Sequence, residues 1–293
     1  MALREVEGDA GLDLGDVLGP SSRIATRRRL SGWRRLAVGL ALPAVLLTAW
    51  SILSATGALS ENALPPPGDL LRSAREFVFA PSRPPVPGVI RFKGAAAEHV
   101  EASIGLWVVG YALAVCVGLP LGLGLGLSRW MAAAVDPLYQ SIRSVPITAW
   151  LPIALVWFGL GQGAGRFLVF IGAVSPIVVA TADSTARVPR QLVDTARMLG
   201  TRQRDLARRV YLPSALPGIV TGLRLGLTLG WTTVIVAELT GVSRGLGAMM
   251  LAAREGPGLE QIIVGMATFA VVGLAGDSLL RAAFRPLVRW ADS

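Results

Sequence analysis

Six stretches of this chain are apolar over lengths that reach or approach the thickness of a lipid bilayer, and no other feature restricts its fold so strongly. A helix crossing roughly 30 Å of hydrocarbon needs about 20 apolar residues. The stretches are Leu36 to Leu53, Ser103 to Leu127, Ile147 to Leu160, Phe167 to Ala182, Gly218 to Leu239 and Ile262 to Leu280. The third is short and interrupted by Pro152, and the fourth contains Pro176. Only 16% of the residues are charged while 53% are hydrophobic, against about 25% charged in soluble domains. Too few polar side chains remain to coat a water-facing globule. The expected fold class is therefore an all-α integral membrane protein with six transmembrane helices.

Charge placement orients these spans. With the N-terminus inside, 19 of the 28 basic residues fall on the cytoplasmic side, as the positive-inside rule requires. An odd number of spans would put one terminal arginine cluster outside, so both termini are expected to be cytoplasmic. The same placement accounts for the net charge of +9 without invoking nucleic acid. Residues 1–32 mix Asp, Glu, Gly, Ser and Arg without apolar periodicity and are expected to form a mobile cytoplasmic tail. No small-residue cleavage site ends the first apolar run, so the first span is expected to be retained. Residues 33–102 then hold the first span and an outer proline-rich segment. Within it Leu70, Leu71, Ala74, Phe77 and Val78 recur at helical spacing, which fits either an amphipathic helix at the outer interface or a plain connector helix. Cys116 and His99, one of each type, exclude a disulfide framework and a Cys/His zinc site.

The loop between the fourth and fifth spans, residues 183–216, is too long and too patterned for a simple turn. Pro189 can open a helix, and Leu192, Val193, Ala196 and Leu199 give it an apolar face. Gly200 can take the left-handed conformation that ends a helix. A second short helix is expected from Thr201, a possible N-cap, through Asp205 to Val210. Pro213 and Pro217 then lead into the fifth span.

This loop resembles the cytoplasmic coupling loop of bacterial ABC importer permeases, which reads E-A-A, three residues, G, nine residues, I-x-L-P. Here Asp194-Thr195-Ala196 precedes Gly200 by the same three residues, and Val210-Tyr211-Leu212-Pro213 follows after nine. Asp194, Thr195 and Val210 depart from the pattern in identity but not in spacing. Ala149-Trp150-Leu151-Pro152, Trp157-Phe158-Gly159-Leu160-Gly161, Ala237-Glu238, Gly245-Leu246-Gly247 and Arg289-Trp290 resemble the nitrate/sulfonate/taurine/bicarbonate branch, over roughly 64–290. One departure is Leu106, where members often carry an arginine after a Ser-Leu opening of the second span; it leaves the solute open.

The resemblance implies a core permease domain over 103–290 in the bacterial inner membrane. It also implies a second permease copy completing the path as a homodimer, two ATP-binding cassette subunits and an extracytoplasmic solute-binding protein. The chain lacks a Gly-x-x-x-x-Gly-Lys-Ser/Thr loop, since Lys93 is its one lysine. No cofactor is expected in this chain; ATP and Mg would be used by the partner ATPase. The ATPase-coupling residues implied are Asp194, Thr195, Ala196, Arg197, Met198, Leu199, Gly200, Thr201, Arg202 and Arg204, with Ala196, Met198 and Leu199 filling an apolar cleft on the partner.

In the fifth span Thr221, Arg224, Thr228 and Thr232 share one helical face, and polar stripes in spans face protein or a water-filled cavity. Thr228, Trp231 and Thr232 are candidates for the path, with Arg224 either drawing anions at its inner mouth or snorkelling to headgroups. Glu238 is read as a path carboxylate or a helix-end contact. Trp150 and Pro152 shape a broken, gate-like third span. Gly218, Gly222, Gly226 and Gly230, like Gly118, Gly122 and Gly126, form close-packing stripes, either a dimer seam or packing within one chain. The expected function is import of a small, anionic solute driven by a separate ATPase. The alternative is a stand-alone secondary transporter or channel, which would carry inverted repeats and a midplane ion site; neither is visible. Nor does any cluster of His, Cys or paired carboxylates suggest a membrane enzyme.

Overall fold

A computed structural model describes residues 32–56, 64–81, 84, 89–255 and 258–288. Residues 1–31 of the expected tail, residues 57–63, 82–83 and 85–88 of the outer proline-rich segment, and Arg289-Trp290 lie outside the described residues. The elements in chain order are α1 (Gly32–Ala55), α2 (Pro67–Phe79), α3 (Ala96–Leu127), α4 (Arg129–Arg143), a 3-10 turn (Ile147–Trp150) and α5 (Leu151–Phe158). There follow α6 (Gln162–Ala186), α7 (Arg190–Met198), α8 (Gln203–Leu206), a π turn (Ala207–Tyr211), α9 (Leu212–Glu238), α10 (Leu246–Arg254) and α11 (Leu259–Val288). Two compact units are present, Met1–Ile52 and Leu53–Ser293. α1 lies almost wholly in the first, and every other element is in the second.

Helix α6 is gripped on two sides by glycine. A Cβ on Gly118 would lie 2.9 Å from Ile177, and one on Gly122 or Gly126 would lie 2.6 Å from Thr181 or Thr185. From the other side, Gly222 faces Ala180, Gly226 faces Ile177 and the Ala173 carbonyl, and Gly230 faces Ala173. Both stripes therefore pack within the chain, deciding between the two readings of the sequence. The order of these contacts also gives direction. Contacts from α3 advance in step with α6, so the two run parallel, whereas those from α9 run in reverse.

Because α3 and α6 are parallel, the chain between them has to return across the bundle. It does so as α4 and the segment Ile147–Phe158, bent by 91°. Residues 129–143, between the second and third apolar stretches, form a helix whose first turn is capped by Ser128, its Oγ accepting from Met131 N at 3.2 Å. Pro146 accounts for the break that follows, since it disfavours helix at Val145 and removes a backbone donor, while Pro152 sits in the first turn of α5, where its missing N–H is tolerated. Among the described residues, four helices are long and apolar enough to cross a membrane, or five with the bent pair as one span. In α1 the described apolar helix is Ala41–Ser54.

The second coupling-loop helix also differs from expectation. Arg202, not Thr201, is the cap residue of α8, and α8 runs through the π turn into α9 without a stop. Leu212 N–H donates to Ala207 O, five residues back, so the widened turn carries the helix past the missing donor of Pro213.

The end of α9 is fixed by a buried polar cluster. α10 begins with N–H groups that no helical carbonyl can satisfy. Gly245 N donates to His99 Nδ1 at 3.1 Å and Leu246 N to Ser103 Oγ at 2.9 Å. Gly247 N and Ala248 N donate to Glu238 Oε2, and Ser103 Oγ donates to Glu238 Oε1 at 2.5 Å. His99 Nδ1 accepts, so its ring proton sits on Nε2, which donates to Arg91 O at 2.7 Å. A carboxylate at a helix N-terminus is favoured by the helix dipole as well, and α3, α9 and α10 are held together there.

Two predictions follow from packing. Gly226→Leu should lower the thermal unfolding midpoint of the purified chain in detergent, since overpacking costs about 1–3 kcal/mol or more. Gly105→Ala, whose Cβ would meet nothing within 4 Å, should leave it level or slightly raised, as a helical Gly→Ala change does where there is room. Glu238→Leu strands the Ser103, Gly247 and Ala248 donors, at about 1–3 kcal/mol for each left unsatisfied, and should depress the midpoint more than Glu238→Gln; equal effects would show that the carboxylate does not hold α10.

Candidate functional site

The knob on the α7 side of the bundle is built from a short amphipathic helix and its terminator. Gly200 has φ of 80°, a conformation only glycine adopts without strain. Its N–H donates to Arg197 O at 2.9 Å and Thr201 N–H to Ala196 O at 3.0 Å, the paired bonds that close a helix at a left-handed residue. Val193 and Leu206 are buried, in a cluster with Ile177, Ala215, Ile219 and Leu223. The knob is thereby anchored on α6 and α9.

Its outward side differs from the face read in the sequence. Ala196 packs inward beside Val193, whereas Leu192, Met198 and Leu199 are exposed, the last two at 87% and 81%. Leu192 and Leu199, seven residues apart, lie on one side of the helix, and Val193 with Ala196 turns to the other. Asp194 and Thr195 are exposed, and Asp194 pairs with Arg197 at 3.5 Å. Arg202 is exposed and Thr201 half-buried; the side chain of Arg204 lies outside the described residues. The structure brings Leu192, Met198 and Leu199 out as an apolar tip with Arg197 and Arg202 nearby in sequence.

Along α9 the candidate path residues separate onto two faces. Thr221, Thr228 and Thr232 are exposed in one stripe with Leu225 and Leu229. Trp231 is buried instead, stacked on Phe269 at 4.4 Å with its Nε1 donating to Phe269 O at 3.1 Å. Glu238 is 2% exposed and committed to α10. Arg224 pairs with Asp277 of α11 at 3.4 Å, and Asp277 also holds Arg281 at 2.6 Å. Trp150 lies in a different aromatic group, edge-on to Phe167 at 6.2 Å. The six residues thus do not converge on one site.

Beside the threonine stripe lies a cleft of about 550 Å³ that sequence reasoning missed. Leu225 and Leu229 form one wall, α6 supplies Ser175 and Asp183, and α4 supplies Tyr139 and Arg143. Tyr139 OH donates to Ser175 O at 3.0 Å, fixing α4 against α6 where Pro176 opens the helix. The missing signal was α4 itself, whose 15 residues alternate between polar and apolar too closely to read as a span.

At the opposite end, the starts of α3 and α6 and the loop after α9 enclose a polar pocket of about 620 Å³. Glu98 pairs with Arg91 and with Arg244 at 3.0 Å, and Arg166 donates to Gln162 at 2.6 Å. Leu106 lines this pocket while packing on Gly165, so the departure noted in the sequence falls at this mouth. Among the described residues no three His, Cys, Asp or Glu side chains group as a metal site.

Comparison with known proteins agrees with this geometry. Residues 115–290 match the family described as binding-protein-dependent transport system inner membrane component. The chain is 32% identical to the putative aliphatic sulfonates transport permease protein SsuC of Bacillus subtilis (strain 168), over 91% of each chain. It is 31% identical to the taurine transport system permease protein TauC of Escherichia coli (strain K12), over 92% of this chain and 94% of that one. Among solved structures, one from the inward-facing MetNI methionine ABC transporter shares the fold, with a TM-score of 0.52 at 21% identity, covering 64% of this chain and 94% of the other. The chain belongs to the binding-protein-dependent transport inner membrane components, the multi-pass permeases of ABC transporters.

Proposed function

We propose that this chain is the permease of an ATP-driven importer of a small anionic solute of the sulfonate, taurine, nitrate or bicarbonate kind, and that two copies form the path. Six spans with both termini cytoplasmic complete the topology, α1 being the first. Two ATP-binding cassette subunits, using ATP and Mg, dock on the α7 knobs, and a solute-binding protein delivers cargo to the pocket around Glu98, Arg166 and Arg244. The single observation that carries this reading is the knob: an exposed apolar tip at Leu192, Met198 and Leu199 on a base anchored by Val193 and Leu206.

The physical logic is mechanical. A soluble partner gains by covering Met198 and Leu199, while Arg197 and Arg202 meet acidic groups at the rim of its cleft and set registration more than affinity. When two partners close, the knobs move with them. Because α8, the π turn and α9 are continuous, that motion passes into the wall bearing Thr228 and Thr232, a rigid-body form of gating. In this reading the exposed threonines face the path, and Trp231, Arg224 and Glu238 support the wall from behind. Trp150 steadies the bent third span.

The test is reconstitution in vesicles with the ATPase subunits and a loaded binding protein. Wild-type chain should stimulate ATP hydrolysis and accumulate labelled solute. Leu199→Arg buries a charge in the docking cleft, and Gly200→Pro cannot adopt the observed φ of 80°. Each should lower binding-protein-stimulated hydrolysis about tenfold or more, the scale of a lost interface hot spot, with membrane insertion unchanged. Normal uptake by both variants, or uptake without any ATPase, overturns the reading.

A further inference from the structure

On the face of the bundle made by α3, α9 and α11, an apolar groove of about 320 Å³ runs between Trp107, Leu227 and Trp231 on one side and Val272, Gly273 and Gly276 on the other. Two glycines shape it differently. A Cβ on Gly273 would strike the Trp231 indole at 2.6 Å, so Gly273 is required for helix contact. Gly276 meets nothing within 4 Å; its missing side chain leaves the groove open. The indole donors are already used, Trp107 Nε1 to Leu227 O at 3.3 Å and Trp231 Nε1 to Phe269 O, so the floor presents carbon. Around the mouth, Val271, Leu274 and Leu279 of the same span are 65%, 70% and 71% exposed, a surface that hydrocarbon would wet.

At one end the groove meets charge. Asp277 follows Gly276 directly, and Arg281 lies five residues beyond Gly276, about 7.5 Å along the helix. Arg224 lies three residues before Leu227 and seven before Trp231, on the same face of α9. Two guanidinium groups share the one Asp277 carboxylate, leaving a positive charge in excess. Arg224 Nε is buried and has no hydrogen-bond partner among the described residues. Arg281 also follows the last apolar residue of the sixth stretch, the depth at which a span meets headgroups.

We propose that this groove is a binding site for an anionic phospholipid, with an acyl chain lying over Trp107, Trp231 and Gly276 and the phosphate held by Arg281 and Arg224. Groove and charge are complementary to the two halves of one lipid molecule and to no soluble anion. The bound lipid ties α9 to α11. The proposal rests on the chain spanning a membrane and not on the coupling role of α7.

The test uses the full chain purified from membranes and passed through nanodiscs containing equal phosphatidylglycerol and phosphatidylcholine, with retained lipid counted by native mass spectrometry. Wild type should retain phosphatidylglycerol preferentially. Arg281→Gln should reduce that preference about fivefold, the scale of one arginine's attraction to an anionic surface, without reducing total lipid. Gly276→Phe, placed in open space, should reduce retention of both lipids while leaving the unfolding midpoint near wild type. A photo-crosslinking residue at Leu279 should yield a phospholipid adduct. Equal retention of the two lipids by wild type, no change in either variant, or a crosslink to residues 36–53 or to a second copy instead of lipid would each overturn the proposal.

Discussion

Close approach at glycine is the constraint on which the rest of the fold depends. In a bilayer, apolar helices gain little by leaving lipid for one another, so association rests on van der Waals packing that small residues permit. Here α6 is clasped from both sides, by Gly118, Gly122 and Gly126 of α3 and by Gly222, Gly226 and Gly230 of α9. The three-helix unit this creates fixes where the knob, the cleft beside the threonines and the polar mouth stand relative to one another. The aromatic donors of α3 add direction to that packing, Tyr111 OH reaching Leu223 O at 2.9 Å and Trp107 Nε1 reaching Leu227 O.

Polar groups in the bundle are placed where backbone needs them. Glu238, His99 and Ser103 are all buried, and each accepts from the backbone at the buried start of α10. A carboxylate alone in this setting would be costly; surrounded by backbone donors it becomes an anchor. The same economy appears at Gly200, where two backbone bonds and one left-handed residue suffice to close α7 and project Leu199 outward.

Much of this was legible in the sequence, and the rest failed for identifiable reasons. Apolar run length located α3, α6, α9 and α11, because a span has to be long and apolar whatever its partners. The terminator at Gly200 was legible because its requirement is local. α4 escaped notice because its identity as half of a bent crossing depends on α3 and α6 running parallel, a tertiary fact. The sequence placed Ala196 with Leu199 on one face, but the cluster around Val193 and Leu206 covers Ala196 and stops short of Leu199, which tertiary packing alone decides. Periodicity put Thr228 and Thr232 together correctly as one side of α9, yet it could not tell that Arg224 turns toward Asp277, Trp231 toward Phe269 and Glu238 toward Ser103, since those partners are 38 residues and more away in the chain.

The unbroken passage from α8 through the π turn into α9 carries one more implication. Gln203 to Glu238 forms a continuous helical run of about 50 Å at a rise of about 1.5 Å per residue, and it packs closely on α6 along its glycines. A rod with a smooth fulcrum magnifies angle into displacement: a small swing at Gln203 sweeps the far tip sideways, and that tip is the carboxylate stoppering α10. Under the coupling proposed above, a push on the near end would be felt across the full thickness of the bilayer, without any signal having to pass from one side chain to the next.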